Sequence, residues 1–112
     1  MSYQTIDKGQ LKAWLDVGKD FALIDVLSQE SFNDGHLPGS VHADVAAEDF
    51  LEKIQKLAPD KNKPIVVYCR AGNTSPGAAE KLIAAGYTEV YDYKGGTSEW
   101  GAAGYPLEGE AV

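Results

Sequence analysis

Short, nearly continuous apolar runs stand out along the chain at residues 21–26, 64–68 and 90–93. Each run is too short for an ordinary helix, and continuous apolar character is typical of strands buried on both faces of a parallel sheet. The run 64–68 is the strongest strand signal in the chain. A brief extended piece is expected at residues 41–42, after a turn-rich loop at 35–40.

Between these runs, the apolar residues follow the three- and four-residue spacing of amphipathic helices. Helices are expected at residues 7–18, 28–34, 47–57, 75–86 and 97–103. Asp7 and Gln10 carry the capping-box signature of a helix start. Ser75 is expected to cap the fourth helix, with Pro76 in its first turn.

The alternation of strands and helices predicts the fold class. Strands that alternate with helices form a largely parallel sheet covered on both sides. We therefore expect an α/β domain with a central, mainly parallel sheet flanked by helices on both faces. Ligands bind such open sheets outside the carboxyl ends of the strands. Cys69 directly follows the strand at 64–68, so it falls at that edge.

Length and charge limit the domain count and the classes of partner. A chain of 112 residues that is 44% hydrophobic fits a single domain, 1–112, because domains usually run to about 100–150 residues. A net charge of -7 disfavours nucleic acid and anionic membrane partners. The first residues lack a basic and apolar leader, and no apolar run reaches the roughly 18 residues of a spanning helix. We expect a cytoplasmic protein.

The chain has one cysteine and two histidines that lie apart in sequence. A single cysteine cannot form an internal disulfide, and no zinc-ligand spacing is present, so we expect neither a metal nor a cofactor. Cys69 is therefore either a buried small apolar residue or a reactive thiol. The cysteine count alone leaves both interpretations open.

The position of Cys69 favours a reactive thiol. A cysteine between a buried strand and a helix N-terminus receives converging N–H groups and the positive end of the helix dipole, which can lower its pKa from about 8.5. Arg70 adds a permanent charge, and Gly72 allows the loop to turn its amides inward. The polar side chains at 73–75 are expected to brace the loop. The alternative is an ordinary strand-to-helix connection in which Cys69 is only a packed strand end.

The segment 66–75, Val-Val-Tyr-Cys-Arg-Ala-Gly-Asn-Thr-Ser, resembles the active-site segment of the rhodanese family of sulfurtransferases. Other stretches resemble that family's signatures in the same order. They are 24–26 with Glu30 and Phe32, the loop 35–42, residues 85–87, 95–96 with Trp100, and 104–106. The resemblance runs from about Ile6 to Leu107, which is nearly the whole chain.

The resemblance implies a rhodanese-like three-layer fold and a sulfurtransferase. In that family, the active-site cysteine takes sulfane sulfur from a donor such as thiosulfate, becomes a persulfide, and passes the sulfur to cyanide or a thiol. Carried over, Cys69 is the catalytic nucleophile, and the loop after it binds the donor and stabilises the persulfide through its amides. The loop residues are Arg70, Ala71, Gly72, Asn73, Thr74 and Ser75.

Two positions depart from a frequent pattern of the family. Leu27 and Thr74 stand where many members have an arginine, so the site is less basic than in those members. The departure bears on affinity for dianionic thiosulfate more than on persulfide chemistry. A relay that passes sulfur to an acceptor protein and a rhodanese-like interaction module therefore remain alternatives.

A cysteine-dependent phosphatase is a further alternative, because it also uses a thiolate in an amide cup. Phosphoryl transfer needs a longer loop that usually ends in an arginine able to clamp the phosphate oxygens. The sixth residue after Cys69 is Ser75. We therefore expect negligible phosphatase activity.

Three other residues near these motifs could take part in chemistry. His36 and His42 are candidates for a general base, but thiolate attack needs no base once the pKa is lowered, so we expect them to build the loop. Lys94, beside two glycines, is a candidate for attracting anions at the mouth of the site.

Overall fold

The computed structural model describes residues 2–110, and a parallel sheet of five strands forms the centre of this part. The strands are β1 (Gln4–Thr5), β2 (Ala22–Asp25), β3 (Val41–His42), β4 (Ile65–Tyr68) and β5 (Val90–Tyr93). The helices are α1 (Lys8–Asp16), α2 (Gln29–Asp34), α3 (Phe50–Leu57), α4 (Ser75–Ala84) and α5 (Gly96–Ala102). The strand order is β1-β5-β4-β2-β3, and every neighbouring pair is parallel. The predicted α/β class is confirmed.

Strand β4 lies in the middle of the sheet and is buried along its whole length. Successive side chains of a strand point to opposite faces, so a strand covered on both sides needs apolar residues at every position. Ile65 and Val67 face one apolar cluster, and Val66 and Tyr68 face the other. This explains why the run at 64–68 is continuously apolar.

The two apolar clusters place the helices in layers on opposite faces of the sheet. Helices α3 and α4 cover the first face, with Phe50, Ile54, Ala78, Ala79 and Leu82 as their buried residues. Helices α1 and α5 cover the second face through Leu11 and Trp100. The result is a three-layer arrangement with the sheet in the middle. None of the helices in residues 2–110 is long and apolar enough to cross a membrane.

Several boundaries differ from the sequence expectations. Strand β1 was not anticipated, because its two exposed residues form a strand only by pairing with Tyr91 and Asp92 of β5. Helix α3 begins at Phe50 and not at residue 47. Residues 45–49 form turns and a bend instead, and the Asp44 carboxylate accepts a hydrogen bond from a backbone amide within them. The capping box of α1 is confirmed.

The start of α4 corrects one prediction. Ser75 is the first residue of the helix, and Thr74 occupies the cap position without a side-chain cap hydrogen bond. The Ser75 hydroxyl is buried and donates to the Asp92 carboxylate at 2.6 Å. The prediction that Ser75 caps the helix is wrong, because its hydroxyl binds a carboxylate across the fold. Pro76 does lie in the first turn.

Candidate active site

Cys69 follows β4 directly and lies at the carboxyl edge of the sheet. The N-terminus of α5 holds the cysteine and the start of the following loop in place. The Thr97 amide donates to the Cys69 carbonyl at 3.1 Å, and the Ser98 amide donates to the Arg70 carbonyl at 3.0 Å. The backbone of Cys69 is therefore held both by β4, which it directly follows, and by the N-terminus of α5.

Backbone amides converge on the sulfur of Cys69. The N–H groups of Gly72, Thr74 and Ser75 donate to Sγ, with nitrogen-to-sulfur distances of 3.2, 3.4 and 3.4 Å. The last of these groups belongs to the first residue of α4, where unpaired N–H groups create partial positive charge. The arrangement stabilises negative charge on the sulfur.

Gly72 allows the loop to take this shape. Its φ is 92°, in a region that residues with a side chain rarely adopt. A Cβ at this position would also lie 2.7 Å from the carbonyl oxygen of Lys94. The loop therefore packs tightly against the end of β5, and glycine is required for both reasons.

The balance of burial and hydrogen bonding favours the thiolate. Burial acts to raise the pKa of the Cys69 thiol, but the Ser75 hydroxyl and the amides of Thr74, Ser75 and Gly72 outweigh it, so the pKa lies below its ordinary value. Only 1% of the residue surface is exposed. A sulfur this well enclosed is shielded from bulk water, and the loop must admit a reactant from its outer side.

The side chains of three other loop residues lie outside this amide cup. Ala71, Asn73 and Thr74 have exposed side chains, and no hydrogen bond within residues 2–110 joins the side chains of Asn73 or Thr74 to the loop backbone. The expected bracing by these side chains is therefore not seen. Of the three side chains expected to brace the loop, only that of Ser75 takes part, and its hydroxyl binds the Asp92 carboxylate; α5 braces the loop backbone as well.

Arg70 borders a cavity beside the loop. Its side chain is exposed, and the cavity of about 230 Å³ is also lined by Leu27, Asp34 and the N-terminal residues 97–98 of α5. Arg70 brings positive charge to this space, and Asp34 brings negative charge. The neutral Leu27 lines the same cavity, so the position that often carries an arginine in the family does face the site region.

The contributions of Asp92 and Gly96 to the site were not predicted from the sequence. Asp92 is fully buried in β5 and binds Ser75, and the signal for it is an acidic residue inside an otherwise apolar strand. Gly96 has a φ of 61°, and a Cβ on it would collide with the carbonyl oxygens of Cys69 and Arg70. Residues 95–96 resembled a family signature in the sequence, but nothing in that resemblance indicated the contact that Gly96, the first residue of α5, makes with these carbonyls.

The two histidines are occupied in building the loops around the site. The ring of His36 stacks on Phe32, and its Nδ1 lies 2.8 Å from the Phe32 carbonyl oxygen. Nε2 of His42 lies 2.6 Å from the carbonyl oxygen of Leu27. Within residues 2–110, neither ring forms a hydrogen bond to Cys69. Their expected role in loop building is confirmed.

Comparison with known proteins decides the family. A family model described as the rhodanese-like domain matches residues 7–103 of the 112 residues. The chain belongs to the rhodanese-like domain family. This rhodanese-like domain is similar over 99% of its length to the solution structure of the rhodanese-like domain of an Anabaena protein, with a TM-score of 0.85 and 31% identity over 82% of that chain.

Curated relatives of this rhodanese-like domain carry an enzyme name. The thiosulfate sulfurtransferase GlpE of Coxiella burnetii is 36% identical over 104 residues, which cover 91% of each chain. The protein of the same name from Pseudomonas savastanoi is 40% identical over 87 residues, which cover 77% of this chain and 76% of the relative. The predicted rhodanese-like fold is confirmed, with the amide cup at the edge of its sheet.

Proposed function

We propose that this rhodanese-type sulfurtransferase moves sulfane sulfur from thiosulfate or a persulfide donor to a thiol or cyanide, with Cys69 as the carrier. The single observation that carries the proposal is the set of Gly72, Thr74 and Ser75 amides directed at Cys69 Sγ. The names of the curated relatives support the reaction class.

The proposed transfer has two steps. The Cys69 thiolate attacks the outer sulfur of thiosulfate, a new S–S bond forms, and the old S–S bond breaks so that sulfite leaves with the electron pair. The persulfide anion then gives its outer sulfur to the acceptor, which restores the thiolate. The amides of the loop stabilise the negative charge at each stage, in the same way that an oxyanion hole stabilises a developing charge. No cofactor is needed for the balance.

The direct test is the mass of the intact protein after it has been exposed to thiosulfate or to a small persulfide. We expect the addition of one sulfur atom at Cys69, reversed by cyanide or dithiothreitol, because Cys69 is the only thiol of the chain. Protein whose thiol has first been blocked with iodoacetamide is the control and should gain no mass. A sulfur adduct that also appears on the blocked protein would contradict the proposal.

Removal of the Arg70 charge is expected to slow sulfur transfer from a dianionic donor more than transfer from a neutral donor. Arg70→Ala should lower the second-order rate with thiosulfate roughly five- to a hundredfold, the range of about 1–3 kcal/mol for hydrogen bonds to charged groups. A neutral persulfide donor should lose much less, because the amide cup remains. The rate with each donor is measured across a salt series, and salt should slow the parent more than the variant.

Lys56→Ala provides the matched control for net charge. Lys56 is exposed near the end of α3, and the next residue, Leu57, lines a cavity with Ala22 and Pro64 at the opposite edge of the sheet. Lys56→Ala should leave both rates and their salt dependence close to those of the parent. Equal losses for both donors in Arg70→Ala would show that Arg70 shapes the loop and does not recruit the anion.

A sulfur relay to or from a protein thiol is the second candidate function. The neutral Leu27 at the cavity and the exposed, neutral Thr74 on the loop favour it, because both leave less positive charge for a small dianion. A persulfide donor would then outperform thiosulfate in the same assays. An intact nucleophile in a formed amide cup favours either transfer function over a module that only binds a partner.

A further inference from the structure

A buried aspartate lies behind the active-site loop. Asp92 of β5 is 0% exposed, and its side chain reaches the start of α4. Its Oδ1 accepts the Ser75 hydroxyl at 2.6 Å, whereas Oδ2 has no hydrogen-bond partner among the described residues. An ionised carboxylate with a bare, buried oxygen is costly. This environment therefore favours the protonated form of Asp92 over the ionised form.

Ser75 connects this aspartate to the sulfur of Cys69. The thiol S–H donates to Ser75 Oγ at 3.5 Å, and the Ser75 O–H donates to Asp92. A hydroxyl has one hydrogen, so Ser75 cannot donate to the sulfur and to a carboxylate at the same time. When the sulfur becomes a thiolate, the hydroxyl is needed there, and Ser75 Oγ must then accept a hydrogen from Asp92.

We propose that Asp92 takes up, through Ser75, the proton that Cys69 releases as its thiolate forms. The S–H bond breaks as a new O–H bond forms on Ser75, and the former Ser75 O–H bond breaks as an O–H bond forms on Asp92. Cys69, Ser75 and Asp92 together keep one negative charge, and the transfer exchanges no proton with solvent. Asp92 is thus a positioning residue that acts through Ser75, and its use in catalysis rests on the proposed role of Cys69.

The surroundings of Asp92 are compatible with this role. Burial raises the pKa of Asp92, and the Ser75 hydrogen bond and the charge of Lys94 oppose the rise only in part. Asp92 pairs with Thr5 of β1 and Val67 of β4, accepts the Ser75 hydroxyl of α4, and lies within reach of the charge of Lys94 after β5. The apolar cluster on the α3 and α4 face of the sheet includes Tyr3, Cys69 and Ala78. Glu99 of α5 binds Tyr93 on the other face of the sheet.

The proton transfer has a consequence for an anionic donor. A thiolate next to an ionised Asp92 would place two negative charges in a site that thiosulfate must approach, and Coulomb repulsion is strong where water is excluded. Retention of the proton on Asp92 leaves one negative charge. The proton transfer to Asp92 thus forms a thiolate without adding a second negative charge that would repel the donor.

The test is the pH dependence of Cys69 alkylation by iodoacetamide, which involves no sulfur donor and therefore stands apart from the proposed function. Two ionisable groups that interact strongly lose their protons in two steps, and the apparent pKa of each step belongs to the pair and not to one residue. We expect the parent rate to rise in two steps, and Asp92→Asn to show only one. The single step of Asp92→Asn should coincide with the lower step of the parent, because the neutral amide stands in for the protonated carboxyl. Between the steps, Asp92→Asn should react at least as fast as the parent, in which Asp92 and Cys69 share one proton.

Asp25→Asn is the matched control. Asp25 is also 0% exposed, has its Oδ1 bound to the Leu27 amide, and has an Oδ2 without a partner in residues 2–110. It lies at the end of β2 and has no hydrogen bond to Ser75 among the described residues, so the two-step profile should persist. Ser75→Ala should remove the lower step although Asp92 is still present, and Ser75→Thr should restore it.

A measurement on the unaltered chain covers the case in which a variant does not fold. The carboxyl carbon of Asp92, followed by nuclear magnetic resonance, should titrate in the same two steps as alkylation, and in a single step once Cys69 is blocked with iodoacetamide. A single Asp92 step that does not change on blocking would overturn the proposal. A parent alkylation rate that rises in a single step, at higher pH than the step of Asp92→Asn, would also overturn it, because Asp92 would then be ionised throughout and would oppose the thiolate by its charge.

Discussion

Cys69→Ser is expected to abolish sulfur transfer, with a loss of several orders of magnitude in rate with any donor. The substitution keeps the shape of the side chain but replaces a thiol of lowered pKa with a hydroxyl that stays protonated at neutral pH. The chain has no second cysteine that could take over as the carrier. The amides of the loop remain, but no sulfur is present for them to stabilise. Steady-state rates with thiosulfate and with a persulfide donor measure the loss.

Two controls make this result specific to the thiol. The parent protein alkylated at its one cysteine should lose activity to the same degree, because the fold is unchanged and only the nucleophile is blocked. Thermal unfolding of Cys69→Ser should show a cooperative transition, which excludes loss of the fold as the cause. Thiosulfate turnover in Cys69→Ser at a rate near that of the parent would contradict the assignment of the nucleophile.

Gly96→Ala is expected to have the largest effect on stability. At a φ of 61°, an alanine costs about 1–2 kcal/mol of backbone strain. Its methyl group would also collide with the Cys69 and Arg70 carbonyl oxygens, and relief of such an overlap costs roughly 1–3 kcal/mol more. The sum is a large part of the about 5–15 kcal/mol that stabilises a typical domain. Activity should also fall, because the loop carbonyls would be pushed off α5.

Gly18→Ala separates the cost of backbone strain from the cost of steric overlap. Gly18 has a φ of 68°, close to that of Gly96, but nothing lies within 4 Å of the Cβ position. It should lose only the strain energy, about 1–2 kcal/mol, and keep its activity. The difference between the two variants in free energy of unfolding by urea therefore measures the collision. If both variants lose the same free energy, the loop yields to the methyl group, and the close approach of α5 is not essential.

Local patterns along the chain determined most of the layers of this fold. The continuous apolar run at 64–68 predicted a buried strand, because a strand covered on both faces has no position open to water, and it forms the central strand β4. Asp7 and Gln10 predicted the start of α1, since both partners of a capping box lie within one helical turn. The place of Cys69 at a strand end follows from the same run. These features depend on neighbours a few residues apart.

The tertiary structure decided what surrounds the sulfur. Ser75 resembled a helix cap in sequence, but its hydroxyl binds Asp92, which lies 17 residues further along the chain. Gly96 stood out in sequence only as one of two paired glycines, but its backbone lies against the Cys69 carbonyl. Strand β1 exists only because β5 offers it a free edge. A sequence pattern reports the local preference of a residue, whereas these contacts arise from elements that meet only when the sheet assembles, and the stronger distant partner then replaces the local one.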